Sequence, residues 1–247
     1  MALETRKLAA PKLLTKKGDS NTYADERLLK TLPVFSSESL SKVTLLLLHD
    51  KYSENEARNS IQNLENCQGK LEMRSARIEK LRINGPLKGE SVKNEMMNYL
   101  DREGKDPKQV FCITILDRDT DYPHIKRELT ALGILSQALL KNTAYKMNLS
   151  VASNVMKQIN SKLGGESLRM HMPACVTSSE IPPMVIGIDV CHSGKNSVVG
   201  FCATTDQSFN HYYSNFLVQK KYQEIIKQDL DFCMDKALKS FKEKNKN

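Results

Sequence analysis

The sequence predicts an α/β protein: an open parallel sheet, followed by a second unit that begins with three antiparallel strands and a helix. Residues 110–116 (VFCITIL) are apolar on both faces, as expected for a parallel strand covered by helices. Segments typical of strands and helices alternate from 43 to 163, which favours an open α/β sheet. Between 185 and 219, three strand-like segments follow one another with only short polar turns, which favours an antiparallel second unit.

The first part opens with a basic, polar and aperiodic segment, 1–42, which we expect to be a linker. The apolar run at 43–48 predicts a buried strand, and Ser53 is the expected N-cap of the helix that follows. The remaining elements up to the buried strand are predicted as a helix at 53–71, a weak strand within 72–83, a helix at 91–102 ending near Gly104, and the strand at 110–116.

A polar loop, 117–121, follows that strand at the edge where open α/β sheets bind ligands. The next helix extends to Leu132, with Pro123 suited to its first turn and Gly133 to its end. Further on, the pattern predicts a strand at 136–141, a loop at 142–149, and a helix at 150–162 that ends at Gly164-Gly165.

A Ser/Pro-rich joint at 178–183 marks the predicted domain boundary. Beyond it, the pattern predicts strands at 185–190, 197–205 and 211–219 and a long helix at 222–243. Three antiparallel strands and a helix, with an acid on the first strand, are how an RNase H-like domain begins.

Composition limits the classes of function. A chain of 247 residues suits one or two domains, and its net charge of +8 suits either a polyanionic partner or solubility alone. The six cysteines lie far apart without a C-x-x-C pair, so a disulfide framework or zinc site is unfavoured. No apolar run is long enough for a signal peptide or a membrane span, and we expect a cytoplasmic or nuclear protein without a membrane partner.

Four polar residues form a candidate anion site. Tyr122 and Lys126 are four residues apart on one helix face, at the helix start where free N–H groups and the dipole favour an anion. Lys162 ends another helix, and Gln137 begins the strand between them. Two ammonium groups, a phenol and an amide would suit a terminal phosphate. The alternative is a solvated helix face and an amide that caps a strand.

Two acids form a candidate catalytic and metal site. Asp189 lies near the end of an otherwise apolar strand, where a charge must be paired or bound to a metal. Glu224, near the first turn of the last helix, is a candidate second acid for two-metal Mg²⁺ chemistry; the alternative is an acid that only complements the helix dipole.

Two runs carry a resemblance to a known family. The segments SVA…QINSKLGG (150–165) and MVIGIDV (184–190) resemble the Argonaute family, most closely its Piwi branch, and residues 8–13 resemble its PAZ-to-MID linker. The resemblance implies a linker over 1–42, a Rossmann-like MID domain over 43–177, and the N-terminal part of an RNase H-like PIWI domain over 178–247. It also implies RNA-guided silencing, with the 5′ phosphate of a small guide RNA at Tyr122, Lys126, Gln137 and Lys162, and the first base facing 117–121.

The same resemblance assigns the acids. Asp189 is similar to the first aspartate of the slicer tetrad and Glu224 to its glutamate finger, with Mg²⁺ expected either in a complete PIWI site or at the guide phosphate. The second aspartate and the histidine have no counterpart before Asn247, so we expect a truncated PIWI domain that does not cleave RNA by itself. Three functions stay open: a guide-RNA-binding module, a Mg²⁺-dependent endonuclease that cuts a target RNA in the full-length protein, and an inactive RNA-binding scaffold.

Overall fold

The computed structural model describes residues 10–15, 18–23, 32–170, 172, 183–221 and 227–245. The chain divides into two compact units, residues 1–168 and 169–247. The second unit begins nine residues before the predicted start of the second domain at 178, and the predicted domain boundaries stay a prediction.

The first unit is built on a four-stranded parallel sheet with the strand order β4–β3–β5–β6. Its strands are β3 (Thr44–His49), β4 (Ile78–Arg82), β5 (Val110–Leu116) and β6 (Leu135–Leu140). Central strand β5 pairs with β3 and β6, with Phe111 opposite Leu45 and Ile113 opposite Gln137. Every residue of β5 is buried, which confirms the predicted parallel sheet covered on both faces.

Five helices surround this sheet: α1 (Glu54–Lys70), α2 (Gly89–Glu103), α3 (Tyr122–Ala131), α4 (Lys141–Tyr145) and α5 (Leu149–Lys162). Side chains alternate along β3, so Leu45 and Leu47 pack with α1, α4 and α5 in one core, while Leu46 and Leu48 pack with α2 and α3 in another. The sheet is therefore the middle of three layers.

Two local expectations for this unit need comment. Ser53 occupies the predicted N-cap position of α1, but its hydroxyl donates to Asp50 Oδ1 at 2.6 Å and caps no helix amide. The expected loop at 142–149, in contrast, was wrong. The segment 142–149 contains most of helix α4 instead of forming only a loop. The reason is tertiary, because Asn59 Nδ2 of α1 donates to the carbonyl oxygen of Ala144 at 3.0 Å and holds this turn in place.

The segment predicted as a linker contains regular structure. An antiparallel hairpin, β1 (Lys12–Thr15) and β2 (Gly18–Tyr23), lies within it, and a 3₁₀ helix (Glu38–Lys42) leads into β3. Residues 1–9 and 24–31 lie outside the described part of the chain.

The second unit begins with a two-residue strand, β7 (Arg169–Met170), and continues as an antiparallel meander in the order β10–β9–β8. Its elements are β8 (Ile186–Ser193), β9 (Asn196–Thr204), β10 (Tyr212–Lys220) and α6 (Lys227–Lys244). Phe201 and Ala203 of β9 pack against Cys233 and Ala237 of α6. Three antiparallel strands followed by a helix confirm the predicted pattern, although residues 222–226 at the expected helix start lie outside the described residues. Among the described helices, none has both the length and the apolar character that crossing a bilayer requires.

Candidate anion-binding site

Two lysines from different helices meet at one residue of β6. Lys126, on α3, donates from Nζ to the hydroxyl of Ser136 at 3.0 Å, with the Ser136 carbonyl oxygen 3.5 Å away. Lys162, the last residue of α5, donates from Nζ to the same carbonyl oxygen at 2.8 Å. Because β6 is an edge strand of the described four-stranded sheet, side chains of flanking helices can reach backbone oxygens that would otherwise bond to a neighbouring strand.

The predicted amide lies in the same group. Gln137 Oε1 accepts a hydrogen bond from Lys162 Nζ at 2.9 Å, while Gln137 Nε2 donates to the carbonyl oxygen of Ala138 at 3.1 Å. The structure therefore brings Lys126, Gln137 and Lys162 together around the first half of β6. Tyr122 opens α3, one turn before Lys126, and its side chain is 45% exposed.

The charge of this group is poorly balanced. Within the part of the chain that the structure describes, neither Lys126 nor Lys162 forms an ion pair with a carboxylate. The loss of water around its ammonium group, followed by the positive charge of Lys126, lowers the pKa of Lys162. A negative charge beside Lys162 would offset the repulsion from Lys126 and stabilise the protonated form of Lys162.

The start of α3 offers few free backbone donors. Asp121 occupies the N-cap position, and its side chain makes no capping hydrogen bond. However, the N–H of Tyr122 bonds to the carbonyl oxygen of Asp119, and Pro123 has no N–H. This helix start therefore contributes less to an anion site than an ordinary helix N-terminus would.

The loop predicted to face a base, 117–121, borders two cavities, and one of them lies at the carboxyl ends of β3 and β5, where Asp50 and Ile115 line it. They have volumes of about 180 Å³ and about 460 Å³, and both are lined by Lys88, Arg118 and Asp121. Asp117 is 3.5 Å from Lys141 Nζ, which ties the loop to the start of α4. The assignment of this loop to base recognition stays a prediction.

The Lys-Leu-Gly-Gly run closes α5 and positions Lys162. Gly164 has φ +83°, a left-handed conformation that favours glycine after a helix. A Cβ on Gly165 would lie 2.2 Å from Asn160 Oδ1, so this position has no room for a side chain. Buried Asn160 in turn donates from Nδ2 to the carbonyl oxygen of Ser36 at 2.8 Å.

Sequence reasoning missed both Ser136 and Asn160. Ser136 could have been noticed as a small polar residue directly before Gln137 in an otherwise apolar strand. Its bond with Lys162 is made by its carbonyl oxygen, and the sequence does not show which backbone groups accept a side chain.

The structure describes only one of the two candidate catalytic acids. Asp189 lies on β8 opposite Gly200 of β9, and it is exposed. Glu224 lies outside the described residues. The pairing of the two acids, like the roles of all the predicted site residues, stays a prediction.

Comparisons with known proteins point to one family. Residues 109–247 match the family model described as the Piwi domain. The chain is 30% identical over 179 residues to the Piwi-like protein Siwi of Bombyx mori, a match that covers 70% of this chain and 18% of Siwi. The chain thus spans less than a fifth of this relative.

Solved structures agree on the fold. The crystal structure of Drosophila Piwi aligns with 96% of this chain and 32% of its own, at a TM-score of 0.75 and 17% identity. The crystal structure of Kluyveromyces polysporus Argonaute with a guide RNA aligns over the same shares, at a TM-score of 0.68 and 19% identity.

Proposed function

Because the chain belongs to the Piwi domain family, we propose that it binds a small guide RNA by its 5′ phosphate, for RNA-guided silencing. The residues of the proposed site are Tyr122, Lys126, Gln137 and Lys162. The guide is the proposed partner of this chain, and a target RNA paired to the guide is the proposed partner of a longer protein such as its relatives.

The single observation that carries the proposal is the meeting of two ammonium groups at Ser136. Both Lys126 and Lys162 bond to this residue, and neither has a carboxylate partner among the described residues. Two like charges repel unless an anion or several dipoles compensate them. One serine and one glutamine supply dipoles, and a phosphate would supply the missing charge.

The geometry favours the end of an RNA over its middle. A phosphate monoester carries roughly 1.5 to 2 negative charges near neutral pH, whereas each phosphodiester of the backbone carries one. Two lysines on one point suit the more highly charged group. Exposed Tyr122, at the start of α3, offers a ring on which the first base could stack.

A binding comparison tests this proposal. Fluorescence polarisation measures the dissociation constants of two labelled short RNAs that differ only in a 5′ phosphate or a 5′ hydroxyl. We expect tighter binding of the phosphorylated RNA, by about tenfold or more, since each charged hydrogen bond contributes about 1.5 to 3 kcal/mol. The Lys126→Ala/Lys162→Ala variant should bind both RNAs alike.

The matched control is Lys239→Ala/Lys242→Ala, which removes two exposed lysines of α6. It should keep the preference of the unsubstituted protein for the phosphorylated RNA. Equal binding of both RNAs by the unsubstituted protein would refute the proposal.

Neither the residues of the anion site nor Asp189 alone suits a Mg²⁺ ion. At the anion site, two ammonium groups repel a cation, and Gln137 Oε1 already accepts from Lys162. On β8, Asp189 is one carboxylate, whereas two-ion phosphoryl chemistry needs several. We therefore propose binding, without a cleavage step, for the described residues of this chain.

A further inference from the structure

Ser136 has an unusual position for a residue of an apolar strand. It is buried, with 5% of its surface exposed, although it lies on edge strand β6, where it pairs with Cys112 of β5. Its hydroxyl accepts from Lys126 and its carbonyl oxygen from Lys162, so one residue is bonded to two helices, α3 and α5.

We infer that Ser136 is a positioning residue that fixes the distance between the two ammonium groups of the proposed phosphate site. This inference rests on the proposed function. A lysine side chain has a flexible stem of four carbons and loses considerable conformational entropy when its ammonium group is held in one place. Without a common acceptor, mutual repulsion would drive the two ammonium groups apart. With Ser136 in place, both groups are already arranged before an anion arrives.

The two halves of this arrangement can be separated chemically. A substitution at 136 removes the hydroxyl that holds Lys126 but keeps the carbonyl oxygen that holds Lys162. Since Ser136 is buried, water does not readily replace the lost hydroxyl. Ser136→Ala should therefore leave Lys126 only its weak 3.5 Å contact with the carbonyl oxygen and should leave the bond of Lys162 intact. Ser136→Thr keeps a hydroxyl on a strand position suited to threonine and should retain Lys126.

The test compares Ser136→Ala and Ser136→Thr with a matched serine control in the full chain. Ser60→Ala is the control, because Ser60 is also buried and its hydroxyl has no hydrogen-bond partner among the described residues. The readout is the ratio of the dissociation constants for 5′-hydroxyl and 5′-phosphorylated RNA. We expect Ser136→Ala to lower this ratio by about tenfold, the loss of one charged hydrogen bond, and the other two variants to leave it unchanged.

Two outcomes would overturn the inference. One is an unchanged ratio in Ser136→Ala. The other is an equal loss of affinity for both RNAs, which would mean a purely structural role. Thermal unfolding of each variant, followed by circular dichroism, checks that the fold is intact.

A second readout needs no RNA, so it separates this inference from the proposed function. A hydrogen-bonded lysine ammonium group exchanges its protons slowly enough to be followed by ¹⁵N NMR of the free protein. We expect the Lys126 ammonium signal to be present in the unsubstituted protein and lost in Ser136→Ala. If RNA discrimination is absent but this signal change occurs, the proposed function fails and the positioning role stands. If the signal persists in Ser136→Ala, the positioning role fails.

Discussion

At the scale of single residues, the protonation of Lys162 links the site to pH. Loss of water around the ammonium group and the charge of Lys126 lower the pKa of Lys162, so this residue loses its proton at a lower pH than an ordinary lysine. A bound phosphate stabilises the charged form and opposes this loss. Binding of a 5′ phosphate should therefore take up protons at alkaline pH.

The expected result is a preference for 5′-phosphorylated RNA that falls as pH rises from about 7 to about 10, the range below the ordinary pKa of lysine. The terminal phosphate, with a second pKa of about 6, only gains negative charge as pH rises, so its titration cannot cause this fall. The measurement is the ratio of the dissociation constants for 5′-hydroxyl and 5′-phosphorylated RNA at each pH. Because the two RNAs have the same bases, the effect of base titration on affinity cancels in this ratio.

Lys162→Arg is the control for this prediction. A guanidinium stays protonated throughout the range, so the variant should show a flatter dependence of the ratio on pH. Identical pH profiles for the arginine variant and the unsubstituted protein would show that another group is responsible.

At the scale of elements, the end of α5 depends on a close contact. Gly165 has no space for a methyl group, because a Cβ there would lie 2.2 Å from Asn160 Oδ1. The displaced Asn160 would also lose its hydrogen bond to the carbonyl oxygen of Ser36. We expect Gly165→Ala to lower the free energy of unfolding by about 1 to 3 kcal/mol, as overpacking does in a dense interior. Urea denaturation measures the change.

Gly69→Ala supplies the comparison. Gly69 lies in the last turn of α1, and a Cβ there would have nothing within 4 Å. Since alanine favours a helix, this variant should be neutral or stabilised by about 0.5 to 1 kcal/mol. Equal stability of the two variants would contradict the role assigned to Gly165.

Several helices and strands could be predicted from the sequence, and one could not. Val110–Leu116 was predicted to the residue, because a fully apolar run between polar loops matches a buried parallel strand. The helix ends at Gly104, Gly133 and Gly164 followed from the glycine itself, and each adopts a positive φ. Helix α4 was not predicted, because the contact that holds it comes from Asn59, more than 80 residues away.

The candidate site divides in the same way. Spacing placed Tyr122 and Lys126 on one face of one helix, one turn apart, since helix geometry is local. The meeting of Lys126 with Lys162 depends on how α3 and α5 pack against the edge strand, and spacing alone does not determine that packing. The expectation that the two lysines bind one phosphate came from the family resemblance. Neither the spacing nor the resemblance indicated that Ser136 bonds to both lysines.

At the scale of the whole molecule, the net charge of +8 leaves two interpretations of RNA binding. In one, any nucleic acid is attracted by many dispersed lysines and arginines. In the other, a specific pair of lysines adds to that background. The two differ in how binding depends on salt, because each phosphate neutralised by the protein releases bound counterions.

Salt titrations of the two RNAs therefore separate dispersed from local charge. The logarithm of the binding constant falls linearly with the logarithm of salt concentration, and each phosphate-binding lysine adds about 1 to this slope. We expect Lys126→Ala/Lys162→Ala to reduce the slope for 5′-phosphorylated RNA by about 2 and to leave the slope for 5′-hydroxyl RNA nearly unchanged. Lys239→Ala/Lys242→Ala, with the same loss of net charge, should change both slopes equally. If the two variants behave alike, total charge explains the binding, and the pair at Ser136 has no special role.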